Sequence, residues 1–131
     1  MRKDIEISSE SENLRIIEKV IDDMSMELKL SDEIYGNVLV ATMEATNNAI
    51  VHGNKLDPSK QVKLHIEKRE KDLVIIVVDQ GPGFDFASVP DPTAPGNIEK
   101  INGRGIFLMK RLSDDIIFSD KGRIVELKFR V

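Results

Sequence analysis

The chain has 131 residues, of which 19 are basic and 23 acidic, giving a net charge of −4; that length suits one domain, since two would each lack the residues for a sizeable core. The acidic balance disfavours nucleic acid binding, which usually uses a basic face, and the absence of cysteine excludes disulfides, thiol catalysis and cysteine-ligated zinc. No apolar run approaches the roughly 20 residues that span a bilayer, so we expect a cytoplasmic protein without a membrane segment.

The first part of the chain predicts a strand and two helices. Residues 4–8 alternate polar and apolar side chains, as a short edge strand does. Ser9 or Ser11 is then expected to cap a helix, because apolar residues recur at steps of three and four: Leu14, Ile17, Ile21, Met24 and Leu28. Ser31 is expected to cap a second helix that ends at Gly53, and its apolar stripe comprises Ile34, Val38, Ala41, Ala45 and Ala49.

Two strands are predicted next. Val62, Leu64 and Ile66 alternate with polar residues, which is typical of a strand with one exposed face. Residues 73–78 are continuously apolar and rich in β-branched side chains, which favours a buried central strand. Because the two runs are joined by a short charged turn, we expect them to pair in antiparallel fashion.

A long connection and three further elements complete the pattern. Residues 84–102 hold three of the five prolines, and a connection of that length is usually a lid or a binding loop. A short helix is expected over residues 105–112, followed by strands over 115–118 and 123–131. The order predicts an α+β fold of one domain over residues 1–131, a two-layer sandwich in which about three helices cover a mixed, mostly antiparallel sheet.

The second predicted helix carries a polar stripe at the edge of its apolar one. Glu44, Asn48 and His52 are spaced four residues apart and therefore share one side of the helix. The carboxylate can accept a proton, and an amide oxygen one turn away can ligate Mg²⁺, which prefers oxygen donors. The alternative is a solvated polar face. The adjacent Asn47 and Asn48 speak against it, because asparagine is a poor helix former and a face that only has to be soluble would use better ones. His52 could equally cap the helix or contact a ligand.

A glycine-rich segment directly follows the buried strand. Asp79 at the end of that strand would be a fixed, partly desolvated hydrogen-bond acceptor. Gly81 and Gly83 remove side chains, so that the backbone can approach a flat ligand closely. A turn that only closes a hairpin is the alternative.

A second glycine-rich segment, Gly103-Arg104-Gly105, leads into the third predicted helix. The N–H groups and the positive end of a helix N-terminus form a site for phosphate, and the Arg104 guanidinium adds to it. A flexible hinge explains the two glycines equally well.

Taken in order, these segments resemble the three boxes of the Bergerat-fold ATPases, the group that includes gyrase, the heat-shock chaperone, sensor histidine kinases and the mismatch-repair ATPase. The matching positions are Glu44-x-x-x-Asn48-Ala49, Asp79-x-Gly81-x-Gly83 and Gly103-x-Gly105. Within that group, residues 44–54 and 103–109 are most similar to anti-sigma factors that are also serine-protein kinases.

The resemblance implies a role for each position. Glu44 would be the general base that polarises a serine hydroxyl or a water, Asn48 would hold Mg²⁺, and Asp79 would accept the adenine amino group. Residues 84–102 would form the lid over the nucleotide. The other implied nucleotide-binding residues are His52, Gly81, Gly83, Gly103, Arg104 and Gly105.

The resemblance also implies a function. The chain would use ATP and Mg²⁺ to phosphorylate a small anti-anti-sigma protein, would bind a sigma factor, and would be a homodimer. Two alternatives stay open: a nucleotide-gated binding module with negligible catalysis, and a stand-alone core resembling that of histidine kinases. One position departs from the family pattern, because relatives often carry threonine after the glycine that opens the last strand, whereas here Gly122 is followed by Arg123.

The negative charge is concentrated in the first predicted helix. Residues 10–30 contain six acids and three bases, so this segment alone has a charge of −3. A solvated helix face explains this pattern, and the alternative is a surface that meets a basic partner. The salt dependence of the association distinguishes the two.

Overall fold

The computed structural model describes residues 1–83 and 101–131, and the predicted order of elements is confirmed there. The strands are β1 (Arg2–Ser8), β2 (Gln61–Arg69), β3 (Asp72–Val78), β4 (Asp115–Ser119) and β5 (Ile124–Arg130). The helices are α1 (Leu14–Leu28), α2 (Asp32–Asn48) and α3 (Ile101–Leu112). No helix in the described part of the chain has the length and apolar character needed to cross a membrane.

The strands form one sheet in the order β1-β2-β3-β5-β4, with β3 in the centre. Every strand pair in the described residues is antiparallel, which confirms a mostly antiparallel sheet; the parallel pair that a mixed sheet would need is not found in that part of the chain. For β2–β3 and β4–β5 the reason is the connectivity, since these strands are joined by turns too short for a parallel crossover. The predicted continuous apolar run of β3 is explained by its central position.

The helices cover one face of this sheet and enclose an aliphatic core. Ile75 on β3 lies opposite Ile66 on β2 and Leu127 on β5, and all three side chains are 0 % exposed. The stripes of α1 and α2 pack onto this layer as predicted, through residues such as Ile21 and Val38. The α+β two-layer sandwich is therefore confirmed.

The expected cap of the first helix was wrong. Neither Ser9 nor Ser11 caps α1, which is preceded by a single 3-10 turn at Ser11–Asn13 and has no side-chain cap. Ser9 is instead buried, and its hydroxyl donates to the Lys60 carbonyl at 2.8 Å. For α2 the prediction is confirmed, since the Ser31 hydroxyl accepts the Ile34 N–H at 3.2 Å.

The end of the second helix also differs from expectation. After Asn48 the chain continues into a π-helical turn, Ala49–Gly53, which widens the helix by one residue per turn. Gly53 therefore lies inside this turn instead of capping the helix, and Asn54 is the residue at the C-cap.

The predicted lid, residues 84–102, lies outside the described residues except for its last two, which belong to α3. That helix begins at Ile101, four residues earlier than predicted, so the segment Gly103-Arg104-Gly105 is helical. The glycines had suggested a turn because glycine is a weak helix former.

Candidate functional site

A pocket opens between the second half of α2, the end of β3, α3 and the turn that joins β4 to β5. Most of its wall is apolar, and the polar groups come from three of the predicted site residues. The lining residues are Ala45, Asn48, Ala49, His52, Gly53, Val77, Asp79, Gly83, Ile106, Met109, Phe118, Gly122 and Val125.

One end of the pocket is formed by α2 facing α3. Glu44 and Asn48 are partly buried on successive turns of α2, as the polar stripe predicted; Asn48 lines the pocket, whereas Glu44 lies next to it and does not. A Cβ atom placed on Gly105 of α3 would lie 3.0 Å from Oε2 of Glu44 and 3.3 Å from Oδ1 of Asn48. Gly105 thus leaves space for both side chains, and a carboxylate and an amide oxygen converge at this point.

The other end is formed by Asp79, directly after β3. Its Oδ1 accepts the N–H of Gly81 at 2.8 Å, and its own N–H donates to the Arg123 carbonyl at 3.0 Å. Burial raises the pKa of the Asp79 carboxyl, while the hydrogen bond from Gly81 and the nearby Arg123 charge act in the opposite direction. Asp79 is therefore a fixed, partly desolvated acceptor, as expected from its position.

Glycines allow three backbone segments to meet around Asp79. A Cβ on Gly53 would lie 2.5 Å from Oδ2 of Asp79, and a Cβ on Gly81 would lie 2.0 Å from the Gly53 carbonyl oxygen. Gly83 has a φ of +85° and faces the Lys121 carbonyl, where a Cβ would come within 2.3 Å. A side chain at Gly81 or Gly83 would displace backbone, and one at Gly53 would displace the Asp79 carboxylate or the helix end.

A buried asparagine, Asn54, to which sequence reasoning assigned no role, holds this end together. The Asn54 amide donates to the Ser9 hydroxyl at 2.8 Å and to the Gln61 carbonyl at 3.0 Å. Its Oδ1 accepts the N–H of Gln80 at 2.7 Å. The residue after Asp79 is thereby fixed to the end of α2 and to the start of β2. Only the position of Asn54 next to Gly53 could have suggested this.

His52 lines the pocket as the sequence suggested. Its Nε2 is buried and has no hydrogen-bond partner among the described residues. Burial also lowers the pKa of the imidazole, so the neutral form is favoured near pH 7. A buried ring nitrogen without a partner is available to a ligand. The structure provides no cap by this side chain.

The segment Gly103-Arg104-Gly105 approaches the pocket only in part. Gly105 faces α2, whereas the Arg104 side chain is exposed and does not line the pocket. Gly103 lies in the first turn of α3, where N–H groups have no acceptor within the helix, whereas the N–H groups of Arg104 and Gly105 are in position to pair within it. A phosphate site at this helix end would therefore involve the first turn instead of a loop.

The arrangement combines an apolar pocket with two kinds of polar end. At one end a carboxylate can accept hydrogen bonds from a flat, amine-bearing group. At the other end Glu44 and Asn48 provide hard oxygen donors, which suit Mg²⁺. The described residues contain no cluster of three or more His, Asp or Glu side chains that could hold a metal, so further ligands would have to come from the bound molecule and from water.

Comparison with known proteins gives matches along nearly the whole chain. Residues 7–129 match the family model described as histidine kinase-like ATPase domain. The chain is 27 % identical to the serine-protein kinase RsbW of Bacillus cereus over 93 % of this chain and 80 % of that protein. It is 24 % identical to RsbW of Bacillus subtilis, over 86 % and 74 %. It is 26 % identical to the anti-sigma F factor of Shouchella clausii, over 88 % and 80 %.

Proposed function

The chain belongs to the histidine kinase-like ATPase domain family, and from this we propose that it is an ATP-dependent serine-protein kinase that also acts as an anti-sigma factor. The observation that carries the proposal is that Glu44 and Gly105 lie beside Asn48, which lines the same pocket as Asp79. The names of the similar proteins, serine-protein kinase and anti-sigma F factor, support the same function.

The residues of the pocket fit ATP. Its wall is mostly apolar and carries a few convergent polar groups, as small-molecule sites usually do. Apolar side chains such as Val77 and Ile106 can contact the two faces of a purine, and the Asp79 carboxylate can accept its amino group. Gly81 and Gly83 would leave room for the base, and His52 would contact the nucleotide through its free Nε2.

The residues at the other end fit a magnesium nucleotide. The Asn48 amide oxygen would hold Mg²⁺, which when bound would neutralise charge on the phosphates. The free N–H groups in the first turn of α3, which include that of Gly103, would face the phosphates, with Arg104 and Gly105 directly after them. The Arg104 guanidinium would add a positive charge there. Because the protein has a net charge of −4, this attraction has to be local.

Glu44 would act as the general base. Its carboxylate would take the proton from a serine hydroxyl as that oxygen attacks the γ-phosphorus of ATP. The bond from the γ-phosphorus to the bridging oxygen breaks, ADP leaves, and the serine becomes a phosphoserine. In this proposal the box that contains Asp79 binds the adenine, and the box that contains Glu44 supplies the general base.

The substrate would be a separate protein. We propose that it is an anti-anti-sigma protein, and that a sigma factor is the second partner, so that phosphorylation decides which of the two is bound. The protein would act as a homodimer in the cytoplasm. The acids of α1 include Glu18, Asp22 and Glu27, and they would meet a basic surface of a partner.

Incubation with labelled ATP, Mg²⁺ and the candidate partner tests the kinase. Wild-type protein is expected to form phosphoserine on the partner. Glu44→Gln is expected to slow transfer by about 100- to 10,000-fold, because the general base is lost, while ATP affinity stays within about twofold. Glu33→Gln, an exposed glutamate in the first turn of the same helix, is the matched control.

Three results would contradict this proposal. Equal rates for wild type and Glu44→Gln would refute the role of Glu44 as the base. Normal ATP binding without transfer to any partner would leave a nucleotide-gated binding module. Transfer to a histidine would identify a core of the histidine kinase type.

A further inference from the structure

Arg123, the residue before β5, connects two turns at the Asp79 end of the pocket. Its Nε donates to the carbonyl of Gly81, and its Nη2 donates to the carbonyl of Pro82 at 3.3 Å. Its Nη1 lies 3.2 Å from Oδ1 of Asp120, in the turn between β4 and β5. One planar guanidinium therefore links the segment after β3 to the opposite wall of the pocket.

The segment that Arg123 holds has no strand partner of its own. β3 ends at Val78, so the carbonyls of Gly81 and Pro82 have no strand to pair with. Asn54 holds the preceding residue by accepting the Gln80 N–H, and Gly81 itself is restrained by the Asp79 carboxylate on its N–H and by the close contacts that glycine permits. The guanidinium provides donors in a fixed fork, which a flexible ammonium does not reproduce.

The same arrangement determines where the Asp79 carboxylate lies. Gly81 donates to Oδ1 of Asp79 and accepts from Nε of Arg123 through its carbonyl. A shift of the Gly81 carbonyl would therefore carry the Gly81 N–H, and with it the carboxylate, away from the pocket. The charged groups that act on Asp79 are Arg123, Asp120 and Lys60, and of these only Arg123 also holds its backbone.

We propose that Arg123 is the positioning residue that sets base selectivity, by fixing the turn at Gly81 so that the Asp79 carboxylate favours a 6-aminopurine nucleotide over a 6-oxopurine one. This inference rests on the proposed ATP site. A fixed carboxylate accepts an exocyclic amine and repels an oxygen at the same position. A turn that is free to shift can move the carboxylate away from that oxygen, so discrimination is lost.

The test measures the dissociation constants of ATP and inosine triphosphate by calorimetry. Arg123→Met and Arg123→Lys both remove the fork, and Lys retains the positive charge. We expect the preference for ATP to fall by about tenfold in each variant, the effect of losing one or two hydrogen bonds. Arg130→Met, an exposed arginine at the other end of β5, is the control and is expected to keep the wild-type ratio.

Asp120→Gly provides a variant that leaves Arg123 itself in place. Asp120 is exposed and has a φ of 49°, which glycine adopts without strain. Loss of its carboxylate frees one end of the guanidinium, and we expect a smaller fall in the same ratio, about twofold to threefold. Thermal unfolding of each variant shows whether it is folded.

Each outcome has a defined meaning. Equal weakening of both nucleotides in the Arg123 variants would overturn the inference, because it would show a purely structural role. Unchanged affinities would overturn it as well. If the wild-type protein bound neither nucleotide, the proposed function would fail and this inference with it, so the wild-type measurement separates the two failures.

Discussion

The two ends of the pocket are built differently. At the Asp79 end, Asn54 accepts a hydrogen bond from the Gln80 N–H, Arg123 donates to the Gly81 carbonyl, and Gly81 donates to Asp79; glycines also bring three segments into contact there. At the other end, no hydrogen-bond or ion-pair partner is found among the described residues for the side chains of Glu44 and Asn48. The Asp79 end is thus held by hydrogen bonds within the protein, whereas the side chains of Glu44 and Asn48 are unpaired among the described residues.

This difference indicates that the two ends have different roles, one in recognising a nucleobase and the other in binding phosphates. A base is recognised by shape and by hydrogen bonds of fixed direction, which require a rigid acceptor that is already in place. A metal-bound phosphate chain carries strong charge, and unpaired side chains can adjust to it when it binds. We therefore expect substitutions at the Asp79 end to affect binding and stability, and substitutions at the Glu44 end to affect mainly the reaction.

Among substitutions that act on binding and stability, the largest effect is expected for Asp79→Asn. Loss of the charged acceptor should weaken ATP binding by about 10- to 100-fold, measured by calorimetry. The ligand-free protein should be no less stable at pH 7, because burial raises the pKa of Asp79 and the ionised carboxylate is therefore unfavourable in the folded state.

The pH dependence of unfolding checks the sign of this effect. A raised pKa contributes stability that is fully present below the unfolded value, 3.8, and is lost as the pH rises through the folded value. Wild type should therefore gain stability relative to Asp79→Asn as the pH falls towards 4. A variant much less stable at pH 7 would contradict this account.

Gly53→Ala should have the next largest effect. The new Cβ would lie 2.5 Å from the Asp79 carboxylate, so either the helix end or the carboxylate has to move. We expect a loss of about 1–3 kcal/mol in the free energy of unfolding, together with weaker ATP binding. Chemical denaturation measures the first and calorimetry the second. Unchanged binding would show that the Asp79 end is less rigid than described.

Gly105→Ala adds the same methyl group at the Glu44 end of the pocket. Its Cβ would meet only the ends of the Glu44 and Asn48 side chains, at 3.0 Å or more, and these can adjust. Helix propensity favours alanine by about 0.5–1 kcal/mol, so stability should be equal or higher, while phosphoryl transfer falls. Gly36→Ala in α2, with nothing within 4 Å, is the control for propensity alone.

The smallest expected effect comes from His52. Burial lowers its pKa, so its neutral form contributes stability that is present above the unfolded value of 6.5 and is lost as the pH falls through the folded value. Thermal unfolding between pH 7.5 and 5 should show a shallower decrease for His52→Gln than for wild type. Parallel curves would show that the imidazole does not titrate in this range.

The parts of the fold that were predicted correctly depend on local patterns. The stripe of α1 and the apolar run of β3 repeat within a few residues, so the sequence alone reveals them. The pairing of Asn54 with Ser9 joins residues 45 positions apart, and Arg123 meets Gly81 over 42 positions. No local pattern contains such contacts, which is why the structural roles of Asn54 and Arg123 were missed.

Local patterns also failed where two candidates competed or where the helix changed its pitch. Ser9 was a reasonable cap, but its hydroxyl is used by Lys60, 51 residues away. Gly53 was a reasonable helix end, but the π turn retains it inside the helix and places it against Asp79. In both cases a long-range contact outweighed a local preference.

The network around Asn54 has a consequence for the order in which the protein folds. Gln80 donates its N–H to Asn54, and Asn54 donates in turn to Ser9, near the start of the chain. The same turn is also bonded by Arg123, which comes near the end of the chain. Contacts between distant residues form slowly, since a long loop has to close before they are gained. A nucleotide that binds only the completed turn would stabilise the finished chain over its partly folded forms. A ribosome-bound chain that still lacks β5 would then have no ATP site, so nucleotide binding would report that folding is complete.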